Sequence, residues 1–224
     1  MIVAKFGGTS VADSEAIGRL IHIVRSRIPE RPVIVVSALA GVTDGLLSLA
    51  AQAETEEPGT LDQALRALLD RHVQIAHSLP GAEAALDSML ADGEALRLEL
   101  KGLGDRRPSP AQLDAIAGRG ELWSSRLVAS ALAAYGIEAV WVDIRPIMVT
   151  DARHTRATPY IQVVNKRARD CLRPLAEAGQ VPVTQGFIGA TANGTATTLG
   201  RGGSDFTASL LGAALDAERV EIWT

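Results

Sequence analysis

The chain has 224 residues, a formal net charge of −4, 47% hydrophobic residues and 21% charged residues. This length and apolar content allow a sizeable core, so we expect one large domain rather than several. The mild negative charge and the scattered basic residues argue against nucleic acid or an anionic membrane as the main partner. The longest apolar run, at 33–40, is far too short to span a membrane, and the N-terminus has no signal-peptide pattern. We therefore expect a cytoplasmic protein.

Cysteine and histidine usage gives no sign of a metal held by side chains. Cys171 is the only cysteine, which excludes an internal disulfide or a cysteine cluster, and its neighbours predict a helical position in the core. The histidines lack metal-ligand spacing, and we interpret them as structural or surface residues. They are His22, His72, His77 and His154.

The first fifty residues alternate between strand and helix patterns. They predict a strand at 2–6, a helix at 13–28, a strand at 33–37 and a helix from Thr43 to Ala50. This alternation is typical of parallel βαβ units and predicts an α/β fold with a mostly parallel sheet.

The middle of the chain is predicted to be helical. Leucines recur at helical spacing over 60–78 and 82–102, and a further helical pattern at 109–135 is interrupted at 118–120. We expect the segments at 60–78 and 82–102 to form an inserted helical layer.

The second half returns to strands. Asn193-Gly194 has the composition of a tight hairpin turn, so we expect the strand before it to pair with residues 195–199. Because the last strand has nothing after it, we expect that the chain is truncated at its C-terminus. The further predicted elements are strand 139–143, a helix near 160–178, strand 181–187 and strand 220–224.

Residues 199–206, Leu-Gly-Arg-Gly-Gly-Ser-Asp-Phe, are typical of an anion site. Helical periodicity begins at Phe206, so Ser204 and Asp205 are predicted at a helix start, where amide donors lack intrahelical partners. These donors and the helix dipole favour phosphate or carboxylate. A glycine loop with an ordinary helix cap is the alternative.

A second glycine turn follows the first strand. Lys5 ends that strand before Gly7-Gly8, and a helix follows. The lysine precedes the glycines, so the pattern matches neither the P-loop nor the dinucleotide fingerprint. A solvated surface lysine is the alternative interpretation.

Several segments together resemble aspartate kinases, in the same order along the whole chain. The strings Lys-Phe-Gly-Gly-Thr-Ser-Val-Ala and Gly-Arg-Gly-Gly-Ser-Asp-Phe are together particular to that family, and the resemblance is closest to the lysine-sensitive type. The segments are 5–12, 35–43, 120–122, 185–189 and 199–206.

The resemblance implies a three-layer α/β/α sandwich of the amino-acid-kinase type. It implies that residues 1–224 are a catalytic domain that lacks its nucleotide half and the regulatory domains, and that the parent protein is a homo-oligomer such as a dimer. It also implies ATP-dependent phosphorylation of the side-chain carboxylate of L-aspartate, the first step toward lysine, threonine and methionine. We expect the truncated chain to be weakly active or inactive.

The chemistry requires charge neutralisation more than proton transfer. A carboxyl with a pKa of about 3.9 is ionised at neutral pH, so it attacks phosphorus without a general base. Repulsion between the two anions must be suppressed by fixed donors and a metal. The resemblance assigns catalytic roles to Lys5 and Asp205, with Asp205 orienting Lys5.

The amino-acid substrate needs a cation for its α-carboxylate and an anion for its α-ammonium, because an unpaired buried charge is costly. Arg201 and Glu121 fit these roles, since the arginine fork holds a carboxylate bidentately. The resemblance adds Ser37, Thr43, Phe187 and Ser204 to the aspartate pocket.

The resemblance implies ATP as cofactor, with Mg²⁺ held through its phosphates and not by protein side chains. The nucleotide-side residues that it implies are Lys5, Gly7, Gly8, Thr9, Ser10, Gly202, Gly203 and Thr224.

Two other functions stay open at this point. The first is a kinase for another small acid, such as glutamate or an acylated glutamate, although an acylated amine would leave Glu121 without a cation. The second is an amino-acid-binding fragment without turnover.

Overall fold

The computed structural model describes residues 1–53, 58–104 and 106–224. Its strands are β1 Ile2–Phe6, β2 Pro32–Val36, β3 Ala139–Trp141, β4 Val149–Thr150, β5 Val181–Gln185, β6 Ile188–Thr191, β7 Ala196–Thr198 and β8 Val220–Trp223. Its α-helices are α1 Ser14–Arg27, α2 Val42–Gln52, α3 Pro58–Ser78, α4 Leu86–Leu103, α5 Pro110–Ala117, α6 Arg119–Ala134, α7 Ile161–Cys171, α8 Arg173–Glu177 and α9 Gly203–Ala214.

A parallel sheet forms the centre of the molecule. Its strand order is β3-β5-β2-β1-β8, and every pairing in it is parallel. A second sheet, β4-β6-β7, contains the antiparallel pair β6-β7. The predicted mostly parallel α/β fold is therefore confirmed.

Side chains of the central strands alternate between two cores. In β1 and β2, Phe6 and Val36 pack with α1, α2, α3, α4 and α6, whereas Val3 and Val35 pack with α7, α8 and α9. This alternation follows from the two-residue repeat of a strand. It places helices on both faces of the sheet, which is the predicted three-layer arrangement.

The predicted helical insertion is present. Helices α3 and α4 add their buried leucines to the core on the α1 side of the sheet, and a short 3-10 turn at Ala82–Ala85 precedes α4. The predicted interruption at 118–120 is the junction at Gly118 between α5 and α6. Within the described ranges, no helix is both long enough and apolar enough to cross a membrane.

The predicted pairing of strand 181–187 with residues 195–199 is wrong. Strand β5 ends at Gln185, and Phe187 then adopts a left-handed backbone, with φ of 68°. This turn starts a separate strand, β6, and the hairpin at Asn193-Gly194 joins β6 to β7. The sequence pattern missed the break because both residues that follow Gly186 are apolar.

The core position predicted for Cys171 is also wrong. Cys171 is exposed at the last residue of α7. The buried positions of this helix and its end are taken by Val164, Ala168 and Leu172.

Two glycines differ sharply in the space around them, and we expect opposite effects of alanine. A Cβ at Gly189 would lie 2.4 Å from the Met148 carbonyl oxygen, whereas a Cβ at Gly18 in α1 would meet nothing within 4 Å. Gly189→Ala should lower the free energy of unfolding by about 1–3 kcal/mol through overpacking. Gly18→Ala should raise it by about 0.5–1 kcal/mol, because glycine is a poor helix former. Denaturant unfolding of the two variants measures these changes in the free energy of unfolding. Equal changes in the two variants would contradict the packing around Gly189 and Gly18.

Candidate active site

A cavity of about 420 Å³ opens where the parallel strands β1, β2 and β5 end. Open parallel sheets bind ligands at the carboxyl ends of their strands. The walls bring together Lys5, Ser37, Thr43, Glu121, Phe187, Arg201, Gly202, Gly203, Ser204 and Asp205, all predicted from sequence.

Lys5 is a buried cation on the floor of this cavity. Its Nζ lies 2.7 Å from Oδ1 of Asp205, whose side chain is half exposed. Lys5 reaches this position from β1 and Asp205 from the first turn of α9. The ion pair therefore fixes a positive charge between the sheet and the start of a helix.

The start of α9 presents free amide donors. Gly202 caps the helix in a left-handed conformation, and the Gly203 amide donates to the Gly200 carbonyl at 2.9 Å. In the described part of the chain, the amides of Ser204 and Asp205 donate to no acceptor. Such donors at a helix N-terminus favour an anion.

Glu121 is a buried carboxyl without a cation. Its Oε1 accepts a long hydrogen bond from the Ala38 amide at 3.4 Å, and its Oε2 has no partner among the described residues. Burial raises the pKa of Glu121 to about 8, although hydrogen bonding from backbone amides, including that of Ala38, opposes the rise. A ligand ammonium would supply the missing charge.

Arg201 differs from Glu121 in both charge and exposure. It is exposed, and it makes no ion pair or hydrogen bond with the described residues. Its five donors therefore remain available to a carboxylate or phosphate. One cavity thus holds a cation and a buried acid that have no ion-pair partner in the part of the chain that the structure describes.

Ser37 and Thr43 are the short hydroxyl residues of the wall. Ser37 follows β2, and its carbonyl accepts from the Ser124 hydroxyl at 2.8 Å. Thr43 lies in the first turn of α2 and is half-buried. Both supply small polar groups on the sheet side of the cavity.

Phe187 forms an apolar part of the wall in a strained backbone conformation. A φ of 68° is unusual for an aromatic residue. The conformation is held by its amide, which donates to the Thr207 hydroxyl at 3.1 Å, and by its carbonyl, which accepts from Leu199 at 2.8 Å. Strain of this kind is typical of functional sites.

Gly7 does not have the free amide that a phosphate donor needs. Its amide donates to the Trp223 carbonyl at 2.8 Å, which continues the pairing of β1 with β8. A Cβ at Gly7 would lie 3.3 Å from Nζ of Lys5. At Gly8, a Cβ would lie 2.9 Å from the Ala38 carbonyl oxygen, so both glycines permit close approach of backbone and side chain.

Thr9, Ser10 and Thr224 lie outside the main cavity. They line a second cavity of about 440 Å³ with Trp223 and residues of α1. The Trp223 ring stacks on Phe6 with centroids 6.2 Å apart. These three predicted nucleotide residues therefore line a different cavity from Lys5, although Thr224 and the Lys5 Nζ both lie beside Gly7.

Sequence reasoning missed part of the wall. Asp114 is a buried acid on α5, and Thr155, Thr198 and Gly200 lie close to it. The signal available was an acidic residue on the otherwise apolar face of a helical pattern. The apolar wall residues that it also missed are Leu47, Leu113 and Ala117.

No cluster of three metal-ligating side chains occurs in residues 1–53, 58–104 and 106–224. His72 is fully buried with its ring against Trp123, and burial lowers its pKa to about 4. His154 Nδ1 lies 2.8 Å from Asp114.

Comparison with known families assigns the chain to a protein family. Residues 1–224 match the Amino acid kinase family. The chain belongs to this family.

The chain is similar to aspartokinases. It is 40% identical over 226 residues to lysine-sensitive aspartokinase 3 of Escherichia coli. The match covers 100% of this chain and 49% of the relative. The crystal structure of E. coli aspartokinase III with lysine and aspartate superposes with a TM-score of 0.92 at 39% identity, over 100% of this chain and 49% of that one.

A second structure, E. coli aspartokinase III with aspartate and ADP, gives a TM-score of 0.84 at 40% identity, with the same two coverages. The predicted resemblance to aspartate kinases is confirmed by these matches. The chain spans about half the length of the curated relatives it matches.

Proposed function

We propose that this chain is the amino-acid-binding part of an ATP-dependent kinase that phosphorylates the side-chain carboxylate of L-aspartate. One observation carries the proposal: the cavity that holds the Lys5–Asp205 pair also holds a buried acid, Glu121, and an arginine, Arg201, neither of which has an ion-pair partner among the described residues. A free amino acid supplies both missing charges. The similarity to aspartokinases, including one crystallised with aspartate and ADP, selects aspartate among amino acids.

In this proposal, Arg201 and Glu121 hold the two ends of the amino-acid backbone group. Arg201 binds the α-carboxylate through its planar fork, and Glu121 accepts the α-ammonium. An acylated amine would leave Glu121 without a cation. Ser37, Thr43, Phe187 and Ser204 complete the pocket around the substrate.

The side-chain carboxylate of aspartate then points toward Lys5. With a pKa of about 3.9 it is already an anion at neutral pH, so it needs no general base. ATP would supply the phosphoryl group and Mg²⁺ would screen its charge. Lys5, oriented by Asp205, and the free amides of Ser204 and Asp205 reduce the repulsion between nucleophile and phosphoryl group.

The residues fit a polyphosphate at this edge of the sheet through donors rather than metal ligands. Gly202 and Gly203 keep side chains away from the amides of α9. Gly7 and Gly8 act by leaving room beside Lys5 and Ala38. For Thr9, Ser10 and Thr224 we retain a nucleotide-side role as a proposal, because they lie beside the end of β8.

We further propose that residues 1–224 form the aspartate half of a longer cytoplasmic, homo-oligomeric enzyme of lysine, threonine and methionine synthesis. The half-length coverage of the relatives supports this division. That the chain alone has weak or no turnover stays a prediction, and a coupled assay of ADP release tests it.

Calorimetric titration of the chain with L-aspartate tests the proposed substrate. We expect saturable heat with L-aspartate, about tenfold or more weaker binding of L-glutamate because an extra methylene must fit, and loss of the heat in Arg201→Ala. Arg153→Ala is a matched control, because this arginine is exposed and paired to Asp151. Equal binding of both amino acids, or binding that survives Arg201→Ala, would count against the proposal.

A further inference from the structure

Asp114 connects three segments of the chain at the wall of the cavity. It lies on α5 and is 2% exposed. Both carboxylate oxygens accept from the Thr155 amide at 3.0 Å, Oδ1 also accepts from the Thr198 hydroxyl at 2.5 Å, and His154 Nδ1 lies 2.8 Å from Oδ2. It has no arginine or lysine partner among the described residues. Both oxygens are thus committed to the protein and not to a ligand.

Two of these partners lead directly to the Arg201 loop. Thr198 ends β7, and residues 199–202 carry the chain from it into α9. The Ala157 amide donates to the Thr198 carbonyl at 2.8 Å, so the segment around Thr155 is tied to the same strand. Losing the Asp114 contacts would therefore affect the position of the loop that carries Arg201, because that loop follows Thr198 directly.

Asp114 stabilises an unfavourable backbone conformation at Thr155. Its φ is 68°, a left-handed conformation that threonine seldom adopts. Its carbonyl oxygen lies 3.1 Å from the position of a Cβ at Gly200, whose φ is 77°. The unfavourable backbone of Thr155 is thus held by the carboxylate, and Thr155 in turn abuts the loop that carries Arg201.

We infer that Asp114 is a positioning residue: it holds Thr155 and Thr198 so that the 199–202 loop presents Arg201 to the amino-acid carboxylate. The inference rests on the proposed function for its ligand. Asparagine at 114 would offer one acceptor oxygen and an NH₂ donor, so it cannot serve all four contacts. The loop then loses its fixed position without losing any group that touches the ligand.

Two readouts on Asp114→Asn test the inference. Hydrogen exchange should become faster at the amides of Leu199 and Gly203, which now donate to Phe187 and Gly200. Affinity for L-aspartate should fall about tenfold, the equivalent of one strained residue. Adding Thr155→Gly should restore most of the affinity, because glycine adopts the left-handed backbone without support.

Asp151→Asn is the matched control. Asp151 accepts hydrogen bonds from Arg153 and Thr158 in the same loop, and within the described part of the chain its side chain makes no hydrogen bond with Thr155 or β7. It should change neither readout. Thr198→Val, which removes one donor to Asp114, should give a smaller change in the same direction and replaces Asp114→Asn if that variant does not fold.

The outcomes separate this inference from the proposed function. Unchanged exchange at Leu199 and Gly203, or a loss of affinity that Thr155→Gly fails to restore, would overturn the positioning role. If the wild-type chain does not bind L-aspartate, the proposed function fails, and the exchange readout alone decides whether Asp114 holds the loop.

Discussion

Glu121→Gln is expected to weaken L-aspartate binding about hundredfold, because truncating one partner of a buried charge pair costs several kcal/mol. Glutamine keeps the shape of the side chain and removes only the negative charge that the α-ammonium requires. The unpartnered Oε2 identifies the atom concerned.

Binding to the wild-type chain should also release a proton. The pKa of Glu121 is about 8 in the empty cavity, so the carboxyl is mostly protonated at pH 7. The arriving ammonium favours the ionised form and lowers that pKa. Titration at pH 7 in two buffers of different ionisation enthalpy should show release of close to one proton per aspartate, and none in Glu121→Gln. Equal proton release by the two proteins would contradict this role.

The same substitution should change stability in the opposite direction from binding. The folded pKa of about 8 lies above the ordinary value of 4.5, so the folded state binds the proton more tightly than the unfolded state. The contribution of Glu121 is fully present below pH 4.5 and is lost as the pH rises through about 8. The loss is on the order of a few kcal/mol. Glutamine does not titrate, so the Glu121→Gln variant should not lose this stability. In denaturant titrations, the variant should gain stability relative to the wild type as the pH rises from 4.5 to about 8.

Lys5→Met is expected to lower kcat of the full-length enzyme by about 10²–10³, the usual effect of losing a fixed donor to a developing charge. Methionine retains much of the apolar stem of this buried side chain but not its charge. Asp205 would lose the partner that lies 2.7 Å away. Aspartate affinity should change far less than kcat, because Arg201 and Glu121 hold the other end of the substrate.

A surface ion pair provides the control for Lys5. Lys166 Nζ lies 2.6 Å from Asp170, but both side chains are largely exposed. Lys166→Met should leave kcat unchanged. A kcat for Lys5→Met within twofold of the wild type would remove Lys5 from the chemistry.

The sequence allowed much of the cavity to be predicted because its residues lie in short, unusual strings. Lys5 before two glycines and Asp205 after two glycines are local signals, and strand ends in a parallel sheet meet at one edge. Asp114 gave only the weak signal of an acid on an otherwise apolar helix face, and Thr155 gave none. Their importance depends on contacts between segments about forty residues apart, which no local pattern encodes.

The errors in the fold have similar causes. Propensity could not show that the strand is interrupted at Phe187, where a positive φ lies between β5 and β6 and the chain passes from one sheet to the other. Gly7 was predicted to lie on the nucleotide side, but its amide donates to the neighbouring strand β8 and not to a ligand. At both Phe187 and Gly7, pairing between strands that are distant in the sequence determines the local structure.

The most direct test of the account is trapping of the product with hydroxylamine, using the full-length protein, ATP, Mg²⁺ and L-aspartate. An acyl phosphate formed on the side chain gives a stable hydroxamate, whereas a simple binding protein gives none. We predict hydroxamate formation that requires both ATP and L-aspartate and disappears in Lys5→Met. Absence of hydroxamate with folded protein that binds L-aspartate, or equal product from L-glutamate, would contradict the assignment of an aspartate kinase site.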